Sequence, residues 1–352
     1  MRFALSFAML VFPALAADSP PATVNDVVAL VRAGLAANRD DKQIAKALSK
    51  MKLAEKLDTY PVEELESAGA GPKTLQELNR LRDISDLLPL PDDPPKFAAP
   101  PAPTQEEVVA AIHHARIYAL SYTAHLPDFL CNETVERFED IAGKGNWDRK
   151  DVLGVRLSYL DHAEDYHLTT VNGHPTTQSF QSMRGAWSQG EFGSLMLGIF
   201  DLNSHTRFTW DHWTHLRKRA TQVYSYRVKT SDSHYKLAFG TGPTPSEVEV
   251  GQEGLVYLDG ETNDIVRLTD RAVDIPVDFP VRQAVRVLDY APQDVGGKQY
   301  VLPLHAEVRM GTGYIHTKNE VTFSGFRKFQ GESTITFDTD ADDKTGKDPI
   351  KH

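Results

Sequence analysis

The sequence predicts an α+β protein, in which a small N-terminal helical bundle precedes a strongly curved antiparallel sheet packed on helices. Three observations carry this expectation. Apolar residues between 24 and 81 recur at helical spacing, a proline-rich stretch at 89–103 interrupts the pattern, and β-rich runs separated by turn residues fill most of the chain from 129 to 337.

Residues 1–16 read as a secretory signal peptide. Met1-Arg2 supply a positive start, Phe3 to Phe12 form an apolar run broken only by Ser6, and Ala14-Leu15-Ala16 sets small residues where a signal peptidase reads. Cleavage is expected between Ala16 and Ala17. The run is too short to cross a bilayer, and nothing later is long enough, so export to the periplasm or beyond is expected, with no transmembrane span.

Residues 17–88 are expected to form the bundle. Val24, Val27, Val28, Val31 and Leu35 mark a first helix, with Asn25 as its cap. Ile44, Leu48, Met51 and Leu53 mark a second, capped by Asp40 or Asp41. A third short helix then meets the Gly69-Ala70-Gly71 turn, and Pro72 opens a fourth that turns Leu75, Leu78 and Leu81 inward. This turn resembles a helix-hairpin-helix, which implies backbone N–H groups facing a phosphate. Glu63, Glu64, Glu66 and Glu77 surround it, however, so it reads instead as a packing turn and no nucleic-acid partner is expected. Residues 89–103 hold seven prolines in fifteen positions and read as an extended linker.

Residues 104–338 form the second unit. Thr104-Gln105-Glu106-Glu107 is a capping box that opens a helix ending near Pro127. Strand patterns follow, with Gly260 to Asp264 as a hairpin turn and residues 191–201 as an interrupting helix. Residues 339–352 read as an acidic, disordered tail.

The chain has 352 residues, 49 acidic against 38 basic, for a net charge of −11, and loss of Arg2 with the signal makes it −12. That balance argues against a general polyanion binder. The one cysteine, Cys131, lies in an apolar setting and excludes an intramolecular disulfide.

No catalytic signature is present: the P-loop, the dinucleotide fingerprint, the His-Glu-x-x-His motif and a Gly-x-Ser-x-Gly elbow around Ser182 or Ser188 are all missing. Neither a catalytic residue nor a cofactor is nominated. The candidate metal ligands are His205, His212 and His215 around Asp211. On a regular strand, Phe208, Trp210 and His212 would share one face, and Asp211 and Trp213 the other. Further clusters are His113-His114 and the group His162, Glu164, Asp165 and His167. Trp210, Trp213, Arg217 and Arg219 are candidates for a partner or membrane surface, because aromatic rings and cations suit an interface. Phe129, Tyr257, Tyr290 and Phe323 are candidates for a ligand-facing surface.

The strand order carries a resemblance. Gly254 to Asp259, Ile265 to Leu268, Leu288-Asp289-Tyr290, Leu302-Pro303 and Asn319 to Phe323 look like exported proteins of the lipoprotein-carrier superfamily. Gly190 to Ser194, Ile199 to Asp201, Tyr224 to Val228 and Asp274 to Pro276 are similar to a group of secreted proteins of soil acidobacteria. The first resemblance implies an unclosed β-barrel with helices plugging its concave side, and a surface able to hold an acyl chain or lipoprotein segment. The expected function is therefore non-catalytic binding of an apolar ligand in the cell envelope, with a lipid or acylated protein as partner. The alternative is an interaction or scaffold module that meets an envelope protein through residues 17–88. A metal-dependent hydrolase using the His205–His215 region is the third reading.

Overall fold

The computed structural model describes residues 20–329, apart from 142, 180–182, 184–190 and 241–244. The expected signal peptide, the acidic tail, Ser182 and Ser188 lie outside the described residues.

Four helices form the bundle: α1 (Val24–Ala36), α2 (Asp41–Leu48), α3 (Thr59–Ser67) and α4 (Pro72–Ile84). Val27, Val31, Leu48, Leu57, Leu65, Leu78 and Leu81 meet in its core with no exposure. The caps differ from the sequence expectation. Thr23, not Asn25, caps α1: its hydroxyl accepts from the Asp26 N–H at 3.1 Å and its own N–H donates to the Asp26 carboxylate at 2.8 Å. Asn25 donates instead to the Asp93 carbonyl at 2.8 Å. Asp40 stands at the start of α2 without a side-chain bond. Asp41 reaches across to the start of α4, where it accepts from the Lys73 and Thr74 N–H groups, both at 2.9 Å. A Cβ on Gly71 would lie 2.5 Å from that carboxyl carbon, so the turn needs glycine for the carboxylate to fit. The helix end where a phosphate would sit is thus filled by the protein's own anion.

Residues 89–103 run without helix or strand. They do not hang free: Pro89 accepts from the Lys56 N–H, Phe97 packs on Tyr60 and under Arg32, and Pro101 accepts from the Trp213 indole.

Among the described residues the second unit is one eleven-stranded antiparallel sheet with a separate two-stranded one. The strands are β1 (Phe129–Ile141), β2 (Asp148–Leu160), β3 (Ala163–Val171), β4 (His174–Pro175), β5 (Arg207–Leu216), β6 (Arg219–Val228), β7 (Lys236–Phe239), β8 (Ser246–Glu249), β9 (Gly251–Asp259), β10 (Ile265–Val273), β11 (Val281–Val295), β12 (Lys298–Thr312) and β13 (Ile315–Lys328). Their order is β4-β3-β2-β1-β13-β12-β11-β10-β9-β6-β5, with β7 and β8 paired separately. First and last strands pair in the middle, Glu136 opposite Glu320. The outermost strands β4 and β5 do not meet, so the curved sheet is not closed into a barrel.

Alternation along the strands gives the sheet two faces. Helices α5 (Gln105–His125) and α6 (Ser194–Phe200) cover the inner face, where Val135, Leu153, Val155, Val256, Leu268, Leu288 and Phe323 form one core with them. The two helices touch closely: a Cβ on Gly193, whose φ is +138°, would lie 2.4 Å from the Thr123 methyl.

The bundle lies on the outer face and along the β5 edge. Arg267 of β10 pairs there with Asp289 of β11 at 2.6 Å and with Glu63 of α3 at 2.7 Å. Arg309 of β12 likewise joins Glu307 to Asp83 of α4, both at 2.7 Å. On the exposed rim of β5, Glu64 accepts from the His215 N–H at 2.8 Å and Ser67 donates to the His215 carbonyl at 2.5 Å. Helix α3 thereby blunts an edge that would otherwise offer unpaired backbone groups.

Candidate functional site

Three of the four ligand-facing candidates gather on the inner face. Phe129, Tyr290 and Phe323 belong to its core, and Tyr257 points to the outer face, where the Arg267 guanidinium lies over its ring. Phe129 stacks on Tyr159 with centroids 5.2 Å apart. Phe192, from the segment leading into α6, inserts among these rings, 5.3 Å from Phe129, 5.4 Å from Phe323 and 6.3 Å from Tyr159. Tyr122 of α5 donates to the Val301 carbonyl at 2.9 Å and meets Tyr290 edge-on.

Helix α5 is turned unusually for a helix on an apolar sheet. Its fully inward positions are small, Ala111, Ala115 and Ala119, followed by Tyr122. Its large aliphatic side chains Val109, Ile117 and Leu120 stand 60%, 57% and 41% exposed. Val108, Ile112 and Tyr118 make only partial contact at its flanks.

The inner wall also holds carboxyl groups that the sequence pattern did not assemble. Glu133 of β1 follows Phe129 and Cys131 on the inner side, opposite Val155 and Phe323, with 7% of its surface exposed. Among the described residues its buried Oε2 has no hydrogen-bond partner, and neither has the buried Tyr159 hydroxyl. Burial, then Glu191 and Glu164 nearby, push the Glu133 carboxyl up to about 8. Tyr166 places one hydroxyl against both Glu164 and Glu191, the latter at 2.8 Å. The Cys131 thiol is buried, and its pKa is raised by that burial, which makes it an inert core group. The signal for Glu133 was present in Phe129-x-Cys131-x-Glu133-x-Val135, where an acid interrupts an apolar alternation.

The three histidine candidates are not brought to a common point by shared ligands. A bulge between Trp210 and His212 breaks the strand parity expected from sequence. Trp210 stays on the inner core, while His212 turns to Tyr60 of α3, with ring centroids 4.4 Å apart, and bonds Asp211 at 2.5 Å. His215 meets Glu64, and His205 meets Asp232 at 3.7 Å. Among the described residues no group of three or more His, Cys, Asp or Glu side chains is arranged to hold a metal ion.

The candidates for a partner or membrane surface are engaged within the molecule. Trp210 packs edge-on to Trp213 and Tyr224, and the Trp213 indole donates to Pro101. Arg217 donates to the Val266 and Tyr290 carbonyls, and Arg219 pairs with Asp259 at 2.7 Å. Among the described residues no helix is long and apolar enough to cross a membrane.

No family model matches the chain, and no curated protein matches it. Two solved structures are similar to part of it. One is a DUF1329 family protein from Desulfovibrio piger, at 9% identity and a TM-score of 0.31, over 64% of this chain and 95% of that one. The other is a domain from Vibrio parahaemolyticus described as an outer membrane lipoprotein-sorting protein, at 12% identity and a TM-score of 0.31, over 62% of this chain and 94% of that one.

Proposed function

We propose that this chain is an exported envelope protein that binds an apolar ligand, an acyl chain or lipoprotein segment, on the inner face of its sheet. The observation that carries this reading is the orientation of α5. A helix selected only to seal an aromatic floor would turn its valine, isoleucine and leucine side chains inward, because each contributes about 1.5–3 kcal/mol when buried. Here alanines face the floor and Val109, Ile117 and Leu120 face out. Val108, Ile112 and Tyr118 pack on the core only in part, so over the alanine stretch the helix contributes small side chains that a chain-like ligand could displace.

The bundle is a poorer candidate for the binding module, because α3 and α4 spend Glu63, Glu64 and Asp83 on the sheet. The test is native mass spectrometry of protein purified from envelope extract, followed by organic extraction and titration with an apolar fluorescent probe. A stoichiometric lipid or acylated peptide is expected. An unliganded mass together with no uptake of the probe would overturn the reading.

A further inference from the structure

Two buried polar atoms that find no hydrogen-bond partner among the described residues lie in one aromatic cluster. Glu133 Oε2 and the Tyr159 hydroxyl both belong to the inner wall. Phe323, opposite Glu133 on β13, touches Phe192, which in turn touches Tyr159 and Phe129. An apolar run of rings therefore connects the two orphaned groups. Leaving a buried carboxyl oxygen unpaired costs on the order of 1–3 kcal/mol, so proteins rarely keep one where a leucine would fit.

We propose that Glu133 is the polar anchor of the apolar site, pairing with the carboxyl or amide head of an acyl ligand whose chain takes the place now filled by Phe192. The inference rests on the binding reading above and names the ligand's head group.

The chemistry is specific. A protonated carboxyl offers a donor and an acceptor side by side, and so do a carboxylic acid and an amide, which pair with it through two parallel hydrogen bonds. Glu133 is held in its protonated form at neutral pH by burial first, then by Glu191 ahead of α6 and Glu164 on β3, and the Tyr166 hydroxyl and Cys131 thiol that also face it are neutral, both pushed up by burial. The flanking positions on β2 and β13, Val155 and Phe323, bring no charge. Phe192 lies 5.4 Å from Phe323, the residue opposite Glu133, so its ring is the one that the first carbons of such a ligand would replace.

The test uses the full mature chain at pH 6.5 and three probes: cis-parinaric acid, palmitamide as its competitor, and an alkylpyrene without a polar head. Glu133→Leu removes the anchor and fills its volume; Glu133→Gln keeps a donor and an acceptor. The wild type is expected to bind all three. Glu133→Leu should weaken the acid and the amide by about tenfold or more and leave the alkylpyrene unchanged, the loss expected for about 1.4 kcal/mol of hydrogen bonding. Glu133→Gln should stay within about threefold of wild type for the amide. Loss of only the acid or only the amide would assign the head to that one source. Unchanged affinity of Glu133→Leu for both headed probes would overturn the anchor while leaving the apolar site standing. Failure of the wild type to bind any of the three would remove the binding reading itself.

Discussion

At the residue scale, Glu133 makes the chain's stability depend on pH with a definite sign. Its carboxyl is raised from 4.5 to about 8 in the folded chain. Between those values the folded state holds a proton that the unfolded state has released, so stability falls as pH rises through this window. Glu133→Gln carries no such proton. Its stability relative to wild type should be near zero at pH 4.5 and grow by roughly 1.4 kcal/mol for each pH step across the window, reaching a few kcal/mol by pH 8 to 9. Urea midpoints of both proteins at pH 5, 7 and 9 check this, and parallel pH curves would show that the carboxyl is solvated. Asp41 gives a second residue-scale prediction. It satisfies two N–H groups at the start of α4, so Asp41→Ala should cost about 1–2 kcal/mol. A matching loss in Asp40→Ala would contradict the capping assignment, since Asp40 makes no cap bond.

At the scale of elements, the outer-face ion pairs decide whether the bundle stays on the sheet. Arg267 is buried between Glu63 and Asp289, and its removal strands two carboxylates away from water. Burial alone pushes Glu63 up, and Arg267 is the first influence that opposes it. Arg267→Met should therefore cost about 3–5 kcal/mol, the range for breaking a buried ion pair from one side. Differential scanning calorimetry should show the bundle melting ahead of the sheet, and a single unshifted transition would argue that the docking is apolar. Much of this architecture was legible in sequence. Helical spacing from Val24 to Leu81 marked the bundle, and Leu195, Met196, Ile199 and Phe200 form α6 inside the stretch 191–201. The bulge at Asp211 was not legible, because nothing in Trp210-Asp211-His212 announces an extra residue, and it reverses the side on which His212 lies. Asp41 as a cap for a helix thirty residues on was equally hidden, since adjacency alone suggested α2. Glu133 showed itself as an acid in an apolar alternation, but Glu164 and Glu191 reach it only through the fold.

At the scale of the whole molecule, the proline segment decides how far the two units can part. A free linker of this composition would hold them at a distance with little mutual order. Here it is fastened at three places, by Lys56 to Pro89, by Asn25 to Asp93 and by Trp213 to Pro101. Phe97 adds an apolar contact between these points, covered by Tyr60 and Arg32, with ring centroids 5.2 Å apart and the guanidinium 4.6 Å from the ring. Tyr60 also meets His212 of β5, so Phe97, the bundle and the sheet edge share one contact chain. Phe97→Ala removes its middle and leaves hydrogen bonds at partly exposed positions, which water replaces at little cost. Proteolysis follows local opening rather than global stability when reclosure is fast. Phe97→Ala should thus be cut within 89–103 at least about tenfold faster than wild type, for a loss of some 1.4 kcal/mol or more in local stability. Elastase suits the measurement, because Ala98 and Ala99 lie beside the substitution and prolines block most neighbouring bonds; each rate is divided by that of the matching free 89–103 peptide, since Phe97→Ala adds an alanine site of its own. Equal cutting rates would mean that the segment opens independently of Phe97, and the two units would then be tied by the outer-face ion pairs and by the contacts of α3 with β5.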